Sequence, residues 1–176
     1  MVKYYIYISI MFLFISCEDK SSVRVYKLNK NPINKDSATV VWSVPSEWEE
    51  IEGNSFSLAV YKILNAKDYS EISVSKFPGD AGGIESNVNR WRRQVELGPV
   101  KLDQIISESI TKINPIGKYS LHKIINNKKI ETAFLCMILP LDDSTVFVKL
   151  KSTKNEINNL EQSFIEFCSS FRFKND

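Results

Sequence analysis

The spacing of apolar residues changes several times along residues 39–174, and these changes constrain the fold most. Three early segments have the composition or the two-residue period of β-strands. They are Thr39–Val44, which ends before Pro45, then Ser55–Ile63, in which Phe56, Leu58 and Val60 alternate with small residues, and Glu71–Phe77. Turn-forming residues separate them. The pattern predicts three neighbouring strands of an antiparallel meander.

A helical period replaces this alternation after the loop Pro78–Gly83. Four apolar residues then recur at helical spacing, namely Ile84, Val88, Trp91 and Val95. Gly98 and Pro99 follow this segment and are typical of a helix C-terminus. A second short helix is predicted over Leu102–Ser109, with three inward-facing apolar residues, namely Leu102, Ile105 and Ile106.

Strand patterns return after this point, and one more amphipathic segment follows them. The predicted strands are Ser109–Ile113, Tyr119–Ile125, Ile130–Leu139 and Thr145–Leu150. A last helix is predicted over Lys154–Ser170, with an apolar stripe formed by Ile157, Leu160, Phe164, Phe167 and Phe171. Helices that interrupt strands in this order indicate an α+β fold, in which a mainly antiparallel sheet of about six to seven strands is sandwiched by helices.

The N-terminal segment has a different character. Lys3 precedes an apolar run, Tyr4–Ile15, which is followed by Ser16, Cys17 and a polar stretch. The run is shorter than the roughly 20 residues needed to cross a bilayer, and it suits the apolar part of a signal peptide. This order of residues resembles the lipobox of bacterial lipoproteins. The resemblance implies that residues 1–16 are a lipoprotein signal peptide and that Cys17 is diacylated and becomes the lipidated N-terminus.

The lipobox resemblance also implies a location. Two acyl chains are enough for stable anchoring, so we expect a lipid-anchored protein on the exported side of the cell membrane or of the outer membrane. Residues 17–38 are polar, include Asn31–Pro32 and are predicted to be a flexible tether. Residues 39–174 are the predicted single domain. Two alternatives stay open, namely an uncleaved N-terminal anchor and ordinary secretion with Cys17 left free.

Charge and cysteine content exclude several kinds of partner and site. The chain has 23 Lys and Arg against 21 Asp and Glu and no block of like charges, so nothing indicates a nucleic-acid partner. Cys136 and Cys168 lie in apolar patterns, and they are either a disulfide pair or two small buried hydrophobic residues. Neither a CxxC motif nor a His/Cys cluster occurs, so we predict no metal site and no cofactor.

Catalytic signatures are equally sparse. The single histidine, His122, lies in a strand pattern, where a surface or hydrogen-bonded role is more common than catalysis. No Gly-x-Ser-x-Gly motif is present. The adjacent acids Asp142 and Asp143 belong to a turn pattern rather than to a metal site. We therefore predict a non-enzymatic protein, and a hydrolase with an unconventional site is an alternative.

Short motifs at both ends of the predicted domain resemble a known fold. The chain has a strand that ends in Pro45-x-x-Trp48, and a strand Val146–Leu150 that precedes a final helix ending in Ser169–Phe171. Together they look like the Mog1/PsbP-like fold of photosystem-associated and Ran-binding proteins. The resemblance implies an α+β sandwich over the whole domain. It implies no function, because one fold supports many functions.

A longer motif covers residues 77–94. It reads FPGDAGGIESNVNRWRRQ and resembles a signature, FPGxxGGxxxNxxRWxxQ, of uncharacterised bacterial lipoproteins and exported proteins. Those proteins have no activity that the resemblance can transfer. The motif therefore suggests related proteins rather than a chemistry.

The same motif contains the candidate binding residues. Gly79, Gly82 and Gly83 shape a loop at a helix N-terminus, where free N–H groups favour an anion. Asn87, Arg90 and Gln94 share a polar stripe on that helix, beside Trp91. The hypothesis is a site for a carboxylate or phosphate. The alternative is structural, with the amides bonded to loops, Arg90 paired with an acid and Trp91 in the core.

These observations favour a binding or assembly role in the cell envelope. The partners would be the membrane, through the lipid on Cys17, and an unknown envelope protein or small ligand. The first alternative is a small-molecule or anion-binding module that uses residues 78–94.

Overall fold

We describe the protein from a computed structural model, which covers residues 39–128 and 131–174. The predicted signal peptide, the predicted lipidation site Cys17 and the predicted tether lie outside these described residues. Among the described helices, none is long and apolar enough to span a membrane. The described residues belong to one compact unit.

The order of elements is four strands, two helices, four strands, one helix and a final short strand. The helices are Gly83–Gln94 (α1), Leu102–Glu108 (α2) and Glu161–Ser169 (α3). The strands are Val40–Val41 (β1), Trp48–Ile51 (β2), Ser57–Ile63 (β3), Glu71–Pro78 (β4), Ile110–Asn114 (β5), Gly117–Ile125 (β6), Thr132–Pro140 (β7), Ser144–Thr153 (β8) and Arg172–Phe173 (β9).

The strands of the described region form two sheets. The main sheet has seven strands in the order β2-β3-β4-β8-β7-β6-β5, and every neighbouring pair is antiparallel. The strands β1 and β9 form a separate two-stranded sheet. The predicted α+β class with a mainly antiparallel sheet of six to seven strands is therefore confirmed.

The first predicted strand, Thr39–Val44, is wrong in its length and its partner. Only Val40 and Val41 of this segment form a strand, and Val40 pairs with Phe173 near the C-terminus. The meander starts instead with β2, which the sequence pattern did not indicate. Trp48 is the first residue of this strand and is buried. The centroid of its ring lies 4.8 Å from the ring centroid of Phe167 in α3. Burial of this aromatic side chain stabilises a strand whose remaining residues are mostly charged.

The predicted alternation in Ser55–Ile63 is also wrong in part. The register shifts between Ser57, which pairs with Ser75, and Ala59, which pairs with Val74. An extra residue in one strand of a pair is a β-bulge, and it turns the preceding side chains to the other side. Phe56 and Leu58 are consequently 65% and 53% exposed, whereas Ala59 faces the core.

Each face of the main sheet carries its own apolar core. One core lies under α3 and includes the whole predicted stripe, namely Ile157, Leu160, Phe164, Phe167 and Phe171. The helix α3 begins at Glu161 rather than at Lys154, because residues 154–160 form turns. The other core lies under α1 and α2 and contains Val88, Trp91, Val95, Ile105, Ile124, Phe134, Cys136, Ile138 and Phe147.

Two further predictions concern apolar side chains. Only Ile105 of α2 is buried, whereas Leu102 and Ile106 are exposed, so their expected inward orientation is wrong. Cys136 and Cys168 are both buried and free, which favours the alternative of two small buried hydrophobic residues. Burial raises the pKa of the Cys136 thiol well above its usual range, so this group stays protonated at neutral pH.

Candidate functional site

The helices α1 and α2 cover only part of one sheet face. Their apolar side chains contact residues of β6, β7 and β8. On the same face, the neighbouring strands β3 and β4 present the half-buried serines Ser57, Ser73 and Ser75. Serine side chains are too small and too polar to form an apolar contact with a helix. This part of the face is therefore open, and α1 forms one of its walls.

A cavity of about 390 Å³ lies at this place. Two basic side chains line it, Arg90 of α1 and Lys149 of β8, and no acidic residue does. Its other lining residues are polar or aromatic, namely Asn54, Phe56, Ser57, Ser73, Ser75, Phe77, Trp91, Gln94 and Phe147. We call this space the Arg90–Lys149 cavity. Its volume lies within the range of small-molecule sites.

Lys149 is held in a fixed position in the cavity wall. Its Nζ donates a hydrogen bond to Oε1 of Gln94 at 2.8 Å, and it lies 4.2 Å from the ring centroid of Phe134. Burial is the main cause that lowers the pKa of Lys149, and the positive charges of Lys151 and Arg90 lower it further, whereas Cys136 and Glu71 act in the opposite direction. An anion in the cavity would offset both the repulsion between these cations and the lost hydration.

Arg90 is exposed to solvent and is oriented by one neighbour. Its Nη2 donates a hydrogen bond to Oδ1 of Asn87 at 2.8 Å. This partner is a neutral amide rather than the acid that the structural alternative expected. A guanidinium has five N–H donors, so several donors remain for a ligand. Among the predicted residues, Arg90, Trp91 and Gln94 line the cavity.

The glycine loop, in contrast, does not line the cavity. Its N–H groups already have partners, because Gly79 donates to the backbone oxygen of Asp143, and Gly82 and Gly83 donate to the side chain and backbone oxygens of Asp80. The expectation that these three glycines offer free N–H groups to an anion is therefore wrong. Gly82 has a φ of 88°, so its conformational freedom shapes the entry into α1.

Asn87 is buried and connects this loop with Arg90. Its Nδ2 donates to the backbone oxygens of Ala81 at 3.0 Å and of Gly83 at 2.7 Å, while its Oδ1 accepts from Arg90. All the described contacts of this amide are thus within the protein. For Asn87, the structural alternative is the one that the geometry supports.

We expect replacement of Asn87 by leucine to lower the free energy of unfolding by about 1–3 kcal/mol, because two partly buried carbonyl groups lose their donor. The matched control is Asn89→Leu, since Asn89 makes a similar pair of bonds with the backbone of Val100. Urea denaturation measures both variants. Only Asn87→Leu should also weaken anion binding, because it frees Arg90. Equal anion binding in both variants would contradict this role of Asn87.

Several cavity residues were not found from the sequence, namely Asn54, Phe56, Ser57, Ser73, Ser75, Phe77, Phe147 and Lys149. The available signal was the alternation of Ser73 and Ser75 with the buried residues Ile72 and Val74 in β4. Small hydroxyl side chains on one face of a central strand indicate a face without a helix above it. Sequence periodicity does not show which strands lie side by side, so the signal could not be assigned to a site.

His122, on which the hydrolase alternative depended, is buried in β6. Its Nε2 lies 2.9 Å from Oγ of Ser120, and burial lowers its pKa to about 4. A histidine with so low a pKa is a weak general base at neutral pH. It lines a small, mostly apolar cavity with Glu108 and Glu161, and Glu161 already forms a 2.7 Å salt bridge with Lys123.

No family model and no curated protein matches this sequence. Similar solved structures include cyanobacterial PsbP from Synechocystis, with a TM-score of 0.49, 13% identity and coverage of 76% of this chain and 86% of that chain. A second is a protein from Bacteroides thetaiotaomicron, with a TM-score of 0.44, 12% identity and coverage of 77% and 45%. A third is LpqN, involved in cell envelope biogenesis of Mycobacterium tuberculosis, with a TM-score of 0.43, 15% identity and coverage of 77% and 83%. A PsbP protein is thus among the similar structures. All three TM-scores lie below 0.5, so we base no conclusion about the ligand or the location of this chain on these similarities.

Proposed function

We propose that this chain is a lipid-anchored bacterial envelope protein with a non-enzymatic binding role, and that its Arg90–Lys149 cavity binds an anionic group of a ligand. The observation that carries the proposal is the composition of the cavity. Two basic side chains and five neutral polar ones surround it without an acidic residue. A carboxylate or phosphate is the group that such a set of donors fits.

The shape of the site supports a ligand rather than a flat protein partner. Protein interfaces commonly appear as exposed apolar patches, whereas ligand sites are concave and combine apolar walls with a few polar groups. Here Trp91 and Phe147 form an apolar base, with ring centroids 5.9 Å apart and nearly perpendicular planes. Arg90, Gln94 and Lys149 add the polar groups.

The proposed location rests on the N-terminal motif. The lipobox-like order that ends in Cys17 supports two acyl chains on the N-terminus, and residues 17–38 would link them to the domain. A membrane-bound protein meets a ligand that is confined to the same membrane at a high local concentration, so a modest affinity for such a ligand is sufficient. Replacement of Cys17 by serine should release the protein from membranes while the domain keeps its unfolding midpoint.

The test of anion binding uses the purified full-length protein and inorganic phosphate at constant ionic strength. A ligand that binds only the folded state raises the thermal unfolding midpoint. We expect phosphate to raise the midpoint of the wild type. We expect this increase to be lost in Arg90→Gln and in Lys149→Met, where the methionine keeps an apolar stem beside Phe134. Loss of one charge-assisted hydrogen bond should reduce affinity about tenfold or more.

The matched control is Arg93→Gln, because Arg93 lies on the same helix, is exposed and does not line the cavity. It should respond to phosphate like the wild type. An equal increase in all four proteins, or no increase in the wild type, would refute the proposed binding of an anion at this cavity.

A further inference from the structure

A second cavity continues the Arg90–Lys149 cavity across the open part of the sheet. It has a volume of about 410 Å³ and shares four lining residues with the first, namely Asn54, Ser57, Ser73 and Lys149. Its further lining includes Tyr69, Glu71 and Lys151. The two cavities therefore form one groove over β3, β4 and β8.

The groove is longer than a single small anion. Phe77 lines one end and Glu71 lines the other, and both belong to β4. They are six residues apart, which corresponds to about 20 Å at the rise of a β-strand. An extended ligand is needed to occupy this length.

Two exposed aromatic residues line the groove, one in each cavity. Phe56 is 65% exposed, and its backbone N–H donates to Oδ1 of Asn54 at 2.9 Å, which fixes the turn that carries it. Tyr69 is 58% exposed, and its hydroxyl donates to Glu71 at 2.8 Å. Aromatic faces carry negative partial charge and attract weakly positive C–H groups, such as those on the face of a sugar ring.

The charges differ between the two ends. Arg90 and Lys149 face the first cavity without an acid. In the second, two acids, Glu52 and Glu71, line the cavity together with Lys149 and Lys151, so its charges balance. The groove thus has one cationic end and one nearly neutral polar end. A ligand that matches it carries an anionic group on one unit and hydroxyl groups on the next.

An extended peptide fits this groove less well. Peptides commonly bind to a sheet by pairing their backbone with an edge strand. The strands β3, β4 and β8 are internal, with hydrogen-bonded neighbours on both sides. The groove therefore offers side-chain hydroxyls, amides, aromatic rings and cations rather than free backbone groups.

We infer that the groove binds an acidic oligosaccharide, with a carboxylate or phosphate between Arg90 and Lys149 and with sugar rings on Phe56 and Tyr69. This inference rests on the proposed function and adds the class of ligand. The serine hydroxyls and the amides of Asn54 and Gln94 would bind the sugar hydroxyls.

The experiment measures binding of three probes to the purified full-length protein by calorimetry. The probes are glucuronic acid, the trisaccharide glucuronosyl-xylobiose, which carries one carboxylate on its terminal unit, and the neutral trisaccharide xylotriose. We expect glucuronosyl-xylobiose to bind about tenfold more tightly than glucuronic acid and than xylotriose. Tyr69→Ala should weaken the glucuronosyl-xylobiose complex about fivefold and leave the glucuronic acid complex unchanged. Phe56→Ala should also weaken the glucuronosyl-xylobiose complex.

The control is Ile113→Ala, because Ile113 is exposed on the far edge strand β5 and lies outside the groove. Its affinities should equal those of the wild type. If glucuronosyl-xylobiose binds no more tightly than glucuronic acid or xylotriose, or if Tyr69→Ala has no effect, the acidic oligosaccharide is refuted. The binding of phosphate at Arg90 and Lys149 would still stand in that case, so the two proposals fail separately.

Discussion

Replacement of Trp91 by alanine is expected to lower the free energy of unfolding by about 3–5 kcal/mol. Trp91 is 3% exposed and lies at the centre of the core under α1 and α2. Its ring packs edge-to-face on Phe147, with centroids 5.9 Å apart. Removal of such a side chain loses apolar burial and leaves a cavity. Since small domains are stabilised by only about 5–15 kcal/mol, the variant should be close to unfolding at room temperature.

Urea denaturation measures this effect as a shift of the midpoint with an unchanged slope. Trp91→Phe is the conservative variant and should recover most of the stability. Arg93→Ala, on the exposed side of the same helix, should change stability by no more than about 0.5 kcal/mol. If Trp91→Ala unfolds at the wild-type urea concentration, Trp91 is not a core residue. Trp91 would then have a role in ligand binding alone.

The second large effect is a pH dependence of stability that originates from His122. Burial lowers the pKa of His122 from 6.5 to about 4 in the folded protein. The unfolded chain therefore binds a proton at a higher pH than the folded protein does. The contribution of His122 to the free energy of unfolding is fully present above pH 6.5. As the pH falls toward 4, at most about 3 kcal/mol of this contribution is lost.

Unfolding in urea at pH 7 and at pH 4 tests this dependence. Carboxylates also titrate in this range, so the relevant quantity is the difference between the wild type and His122→Gln. The glutamine variant keeps a polar partner for Ser120, and its side chain at position 122 does not titrate. We expect the wild type to lose about 2–3 kcal/mol more than the variant between the two pH values. Equal losses would mean that His122 is hydrated in the folded protein.

Most of the fold was predictable because periodicity reports which side of an element is buried. Periodicity predicted the apolar stripe from Ile157 to Phe171 and the helix that contains Val88 and Trp91. The side chains of these four residues are buried. The errors occurred where a local pattern depends on distant residues. The pairing of Val40 with Phe173 joins segments from opposite ends of the domain. The bulge at Leu58 depends on the register with β4, which no local pattern shows.

The candidate site was predictable only on its helical side. Spacing along α1 predicts that Arg90 and Gln94 share one stripe of the helix, and both residues line the cavity. Lys149 is 59 positions after Arg90 in the chain and comes near it because β8 lies beside β4. The prediction that the glycine loop binds an anion was wrong, because the sequence does not reveal that oxygens of Asp80 and Asp143 already accept hydrogen bonds from its N–H groups. Small loops commonly satisfy their own backbone groups, and such bonds depend on conformation.

The most direct test of the central proposal is the position of a bound anion. Isotope-labelled protein is titrated with inorganic phosphate at constant ionic strength, and the amide NMR signals are followed. If the anion binds in the Arg90–Lys149 cavity, the largest saturable shifts belong to Ser73, Ser75, Gln94 and Lys149. If the largest shifts belong instead to Gly79, Gly82 and Gly83, or if no signal shifts in a saturable manner, the assignment of the binding site to this cavity is contradicted.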